Sequence, residues 1–504
     1  FADTQMAALA ATQIAAMTTS QVQGLAATNI QALTTTQVAA LSATQLSQLS
    51  ATNVRALADT QIAALTATKV AAFTATQIGA LTTTDVGEFL ETQVAALTAM
   101  QVQALNAANF AALAETQVAA LTATQIGSVT ATQVAALTET QAGALTTTQI
   151  AALSTTQLRS LNATNLSAFD ATQMAALTAT QVSGLTTTQI TALDETDVAE
   201  LTTAQIAALT MAQVRSLNET TLGALSETQI AAFTATQIAS IYATNIATLA
   251  ETQVQALTTT QIAALTTSQL QAFDATNLAA LDATRVAALT TTQARALTTT
   301  QIAALSAADL AELTTAQIGA LTTTQMAALN TTNMAALEAT QIAAFGASQV
   351  ARLSTTALSG LDATQMAALT ATQLKALTVT QIDALSATDV ADLTVTQIAA
   401  LTKTQVAALT ATNMSSLAAT QVAAFTTSQI QSLTATTLSA LDAAQAGALT
   451  TTQIGALTMT QIGGLEATDI GELSATQVAA MNATQLARLS TEAASALDAA
   501  QVAA

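Results

Sequence analysis

The residues best equipped for chemistry are acids, and ten of the 30 stand in five pairs three residues apart: Asp85/Glu88, Asp197/Glu200, Asp309/Glu312, Asp389/Asp392 and Asp469/Glu472. On a helix that spacing places both carboxylates on one face. Several carboxylate oxygens together are what a hard cation such as Ca²⁺ binds, so these ten are weak Ca²⁺ candidates. Counted in the chain's repeat unit of eight, successive pairs are fourteen, fourteen, ten and ten units apart, a spacing that could align some of them along one side. The same pairs could in principle exchange protons as general acid and base. None lies in the D-x-[DN]-x-[DN]-G loop that makes a calcium claim specific, and a solubilising face is the plainer reading. No metal site, catalytic residue or cofactor-binding residue is assigned, no cofactor is expected, and the chain is expected not to be an enzyme.

Composition removes most other chemistry. The 504 residues contain no Cys, His, Trp or Pro, one Tyr and only 8% charged residues. Disulfides, thiolate or imidazole metal sites and Cys or His catalysis are therefore excluded. A net charge of −20 opposes binding to nucleic-acid backbones or anionic membranes. No apolar run approaches the ~18 residues of a membrane span.

The elements that position these residues follow one rule, because 504 residues divide into sixty-three octapeptides without insertion or deletion. Residues 33–40, LTTTQVAA, show the grammar. Position 1 is Leu in 51 octads, and eight Phe (Phe73 and Phe169 among them) replace it as core variants. Position 6 is large and apolar except at Ala142, Ala294, Ala446 and Ala494. Position 5 is Gln in 44. Residues 1–504 read as a single uninterrupted repeat domain, a segment of a longer tract. A weaker 56-residue period is superimposed, marked by Asn53, Asn109, Asn165, Asn277 and Asn333 in place of Gln.

Neither a continuous helix nor a continuous strand fits. Eight residues advance an α-helix by about 800°, so its apolar stripe would drift by roughly 80° per octad. In a strand, positions 1 and 6 would face opposite sides. Each octad must contain a turn, and position 2 locates it. Ser, Thr, Asp or Asn stands there in 51 octads, and with Gln three residues later it forms the S/T-x-x-Q capping box. Positions 1 and 6 become the hydrophobic staple. Charge placement agrees: 18 acids occupy positions 2–3, and seven of ten bases occupy positions 7–8, as the helix dipole favours. The expected fold is all-α, a solenoid of 63 short capped helices with an eight-residue period. A β-solenoid is the alternative, weakened by the scarcity of Gly and the absence of Pro.

The phrase LTxTQIAA resembles the opening helix of transcription-activator-like effector repeats. That resemblance covers one helix only; the base-reading loop is absent and the acidic charge opposes DNA binding. Over its full length the chain resembles octapeptide repeat tracts of very large bacterial surface or secreted proteins. The resemblance implies an acidic extracellular or cell-surface solenoid acting as fibre, stalk or spacer. Its expected partners are its own ends, joined head to tail, or other surface and matrix proteins, with no nucleic acid and no membrane insertion. The other reading is a binding surface made of repeated columns, either ice-binding Thr at positions 3 and 4 or a Ca²⁺-responsive acidic edge. Sequons at Asn162, Asn165, Asn218, Asn330, Asn413 and Asn482 are better explained by helix capping, at least for the four at position 2. Tyr242, which replaces a cap residue, is expected at the surface.

Overall fold

The computed structural model describes residues 2–504; Phe1, a position-1 residue, lies outside them. Every element among the described residues is a short α-helix, sixty-three in all, from Asp3–Ala8 to Ala499–Ala503. The helix starts at position 3 and ends at position 7 or 8 in most octads, as in Thr35–Ala40. Thr34 caps it with extended backbone (φ −72°, ψ 159°), and Leu41, also extended (φ −58°, ψ 131°), leads into the next cap. Two consecutive extended residues thus turn the chain between helices. No described residue has a positive φ or a cis peptide, which is why the fold needs neither Gly nor Pro at its corners.

Contacts divide the chain into two units, Phe1–Ala256 and Leu257–Ala504. Within each unit a helix packs on the third helix along the chain. Ala75–Gly79 meets Ala99–Ala104 in the first, and Ala419–Ala423 meets Ala443–Ala448 in the second. Three octads therefore make one coil. In most octads positions 1 and 6 point into the coil, as Leu145 (2% exposed) and Ile150 (0%) show. Burying two such side chains contributes about 3–6 kcal/mol gross per octad. A helix of five or six residues cannot persist alone, so the coil and its neighbours hold each one in place. Phe73 and Phe169 are buried in this core, and Tyr242 is 58% exposed.

Packing between coils is tight at position 8. A Cβ on Gly360 would stand 2.6 Å from the Thr331 carbonyl oxygen of the preceding coil, whereas one on Gly447, inside Ala443–Ala448, would meet nothing within 4 Å. We expect Gly447→Ala to stabilise the chain by about 0.5–1 kcal/mol through helix propensity. Gly360→Ala should destabilise it by about 1–3 kcal/mol through overpacking. Urea midpoints of the two variants, moving in opposite directions, check this.

Candidate functional site

Position 5 is where the coils are joined. Gln149 is 1% exposed. Its Oε1 accepts the backbone N–H of its own cap residue, Thr146, at 2.7 Å. Its Nε2 donates to the carbonyls of Val118 (2.8 Å) and Leu121 (2.6 Å), at the C-terminal end of a helix in the neighbouring coil. One amide thus satisfies an orphan donor at one helix start and orphan acceptors at another helix end. The same rung recurs from Gln37, bonded to Leu9 at 2.7 Å, to Gln501, bonded to Leu473 at 2.6 Å. The capping box read from the sequence is present. Its second half, the inter-coil bond, was not foreseen. The signal for it was available, because no octad carries Glu at position 5 although Glu would complete a capping box equally well. Unlike a carboxylate, an amide both accepts and donates.

Several replacements at position 5 keep the inter-coil donor. Asn165, shorter, still donates to Leu137 at 2.6 Å, and Asn413 to Leu385 at 3.1 Å. Both are buried rungs, so these two sequons are closed to glycosylation in the folded chain. Asn162, Asn218, Asn330 and Asn482 are helix caps, as the sequence implied. Lys69 places its ammonium on the Ala39 carbonyl. Arg285 donates from Nε to Leu257 at 2.7 Å and pairs with Asp282.

The five acidic pairs occupy the same rung, and this changes their reading. Each Asp sits in the place of Gln and uses one carboxylate oxygen to accept its own cap N–H: Asp85 from Thr82 (2.7 Å), Asp197 from Asp194 (3.1 Å), Asp309 from Ser306 (2.8 Å), Asp389 from Ser386 (2.7 Å) and Asp469 from Glu466 (2.7 Å). Asp85, Asp197 and Asp389 are buried. The pairs are therefore not a plain solvent-facing stripe. Nor do they align. Fourteen octads separate the two pairs of the first unit, and ten separate successive pairs of the second. Neither is a multiple of the three-octad coil, so neighbouring pairs fall on different sides. Among the described residues, no group of three or more acidic side chains is arranged to hold a metal ion.

What the rung does create is a concentration of uncompensated carboxyls. The position-8 partners Glu88, Glu200, Glu312, Asp392 and Glu472 are half-buried. The Oε2 atoms of Glu200 and Glu312 are fully buried with no hydrogen-bond partner. Burial, reinforced by Asp197, Asp170 and Asp194, pushes the Glu200 carboxyl above its usual range. Burial with Asp309 and Asp282 does the same for Glu312, and burial with Asp469 and Asp442 for Glu472. Asp197 is raised mainly by burial, against the hydrogen bonds it receives.

Residues 299–331 and 307–339 match the ALTTAQ repeat family, whose motif corresponds to positions 8 and 1 to 5 of the octad. No curated protein matches the chain.

Proposed function

We propose that this chain is a structural, non-enzymatic repeat protein, an acidic extracellular solenoid that serves as fibre, stalk or spacer and joins other copies end to end. The observation behind this reading is the two-sidedness of the rung. Each coil receives amide donors on its helix C-termini and offers the same donors at its own position 5, so length can be added without changing the joint. Gln5, Gln13 and Gln21 in the first coil keep their cap bonds but are exposed, with amide groups free to take a further coil. At the other end Val502 is 70% exposed. Such a face accepts either further octads of the same polypeptide or the opposite face of a second copy, a heterologous contact that propagates. Among the described residues, no helix is long and apolar enough to cross a membrane.

Sedimentation tests this. The parent chain should associate with a mass that grows with concentration. A variant carrying Gln5→Glu, Gln13→Glu and Gln21→Glu keeps the cap acceptors but turns three donors into carboxylates facing carbonyls, and should stay monomeric. A parent chain monomeric at every concentration would sink the end-to-end joint.

A further inference from the structure

Four of the five acidic rungs carry a third acid at one fixed offset. Asp170, Asp282, Asp362 and Asp442 stand at position 2 of the octad one coil before Asp197, Asp309, Asp389 and Asp469 respectively. Each caps a helix of that adjacent coil. Only seven octads have Asp at position 2, so four coincidences in five rungs mark a built arrangement. Position 7 of the octad just before that cap is a Ser at three of these rungs: Ser167, Ser359 and Ser439. Ser439 Oγ donates to Asp469 Oδ2 at 2.6 Å. The exception is Asp85, with Ala58 and Arg55 at those two places.

At each such rung the chain has replaced an amide donor by a carboxylate and set a second and third acid around it. In the register of the Gln rungs, the carbonyls that Gln would bond are those of Phe169 and Leu166 for Asp197, Leu281 and Leu278 for Asp309, and Leu441 and Leu438 for Asp469. We propose that the three rungs at Asp197, Asp309 and Asp469 are acid-strengthened joints: deprotonated they loosen the coil boundary, and a proton taken up by the Asp–acid pair supplies the donor that glutamine supplies elsewhere. A protonated carboxyl is one donor and one acceptor, the two functions of the amide. At Asp469 the joint also borders a cavity of about 20 Å³, beside the small Ala446, large enough for one water.

The charges around each joint fix the direction. Asp170 and Asp194 act on the Asp197/Glu200 pair, with Glu219 on the helix packed against it. Asp282, itself paired with Arg285, acts on Glu312, and the packed helix Thr331–Ala335 is uncharged. Asp442 acts on Glu472, with Glu492 on the packed helix. Almost every neighbour is negative. Carboxyls raised in the folded state stabilise it fully below their ordinary range, and that contribution disappears as pH rises through the raised values.

The test compares the parent chain with Asp197→Gln, Asp309→Gln and Asp469→Gln combined, a change towards the repeat's own consensus. At pH 7 the variant should melt higher by roughly 5–10 °C, and the gap should shrink by at least half on acidification to about pH 4. All other carboxyls are common to both chains and cancel. A reciprocal variant, Thr122→Asp with Gln149→Asp and Ala152→Glu, should build a fourth such joint and widen the parent's own loss of stability between pH 4 and 7. A gap equal at both pH values, a less stable Gln variant, or a gap closed at pH 7 by millimolar Ca²⁺ would overturn the proposal; the last would place a cation where we place a proton.

Discussion

Gln149→Met is expected to be among the most damaging single substitutions in the chain, destabilising it by about 3–6 kcal/mol as buried polar groups lose their partners. Methionine matches glutamine in length and fills the same space, so little packing is lost. What changes is polar satisfaction. The Thr146 N–H loses its acceptor, the Leu121 carbonyl loses its donor, and the Val118 carbonyl keeps only the Leu121 N–H. Each buried group left unpaired costs about 1–3 kcal/mol. Gln149→Glu separates the two halves of the rung, because it keeps the acceptor and removes only the donor. At pH 7 it should be no better tolerated than Met, since a carboxylate would face the negative end of a helix dipole. Gln5→Glu, at an exposed rung with no coil beneath, should change stability by less than about 0.5 kcal/mol. Urea unfolding followed by circular dichroism measures all three. A Gln149→Met variant as stable as the parent would mean that the inter-coil bond is dispensable.

The second large effect separates two positions within one helix, Thr147–Ala152. Ala151→Pro removes a helix-interior N–H and places its ring against the preceding turn, so it should destabilise by about 3 kcal/mol or more. Thr147→Pro sits at the first helical position, where no intrahelical bond is lost and the fixed φ is already suited. Its predecessor Thr146 has φ −73° and ψ 156°, the extended geometry that a following proline imposes. Thr147→Pro should therefore lie within about 1 kcal/mol of the parent. Equal damage at both positions would contradict the helix start that the octad grammar and the structure share.

The local level was legible in the sequence because its determinants are local. A cap at Thr34, a box with Gln37 and a staple between Leu33 and Val38 all act inside a single octad, and each leaves its own residue preference in the column. The burial of positions 1 and 6 followed as well, because only a coil that turns every octad brings both to one side. The number of octads per coil was not legible. It depends on the angle that two extended residues impose between successive helices, and no single column of the repeat encodes that angle. The inter-coil partner of Gln149 lies a full coil back, across that undetermined closure, so the amide could be read only as a cap. The acidic pairs show the same limit. Spacing of three along the chain said that Asp197 and Glu200 share a helix. Only the three-octad coil revealed that Asp197 stands in a joint built for an amide donor, with Asp170 acting on its partner Glu200.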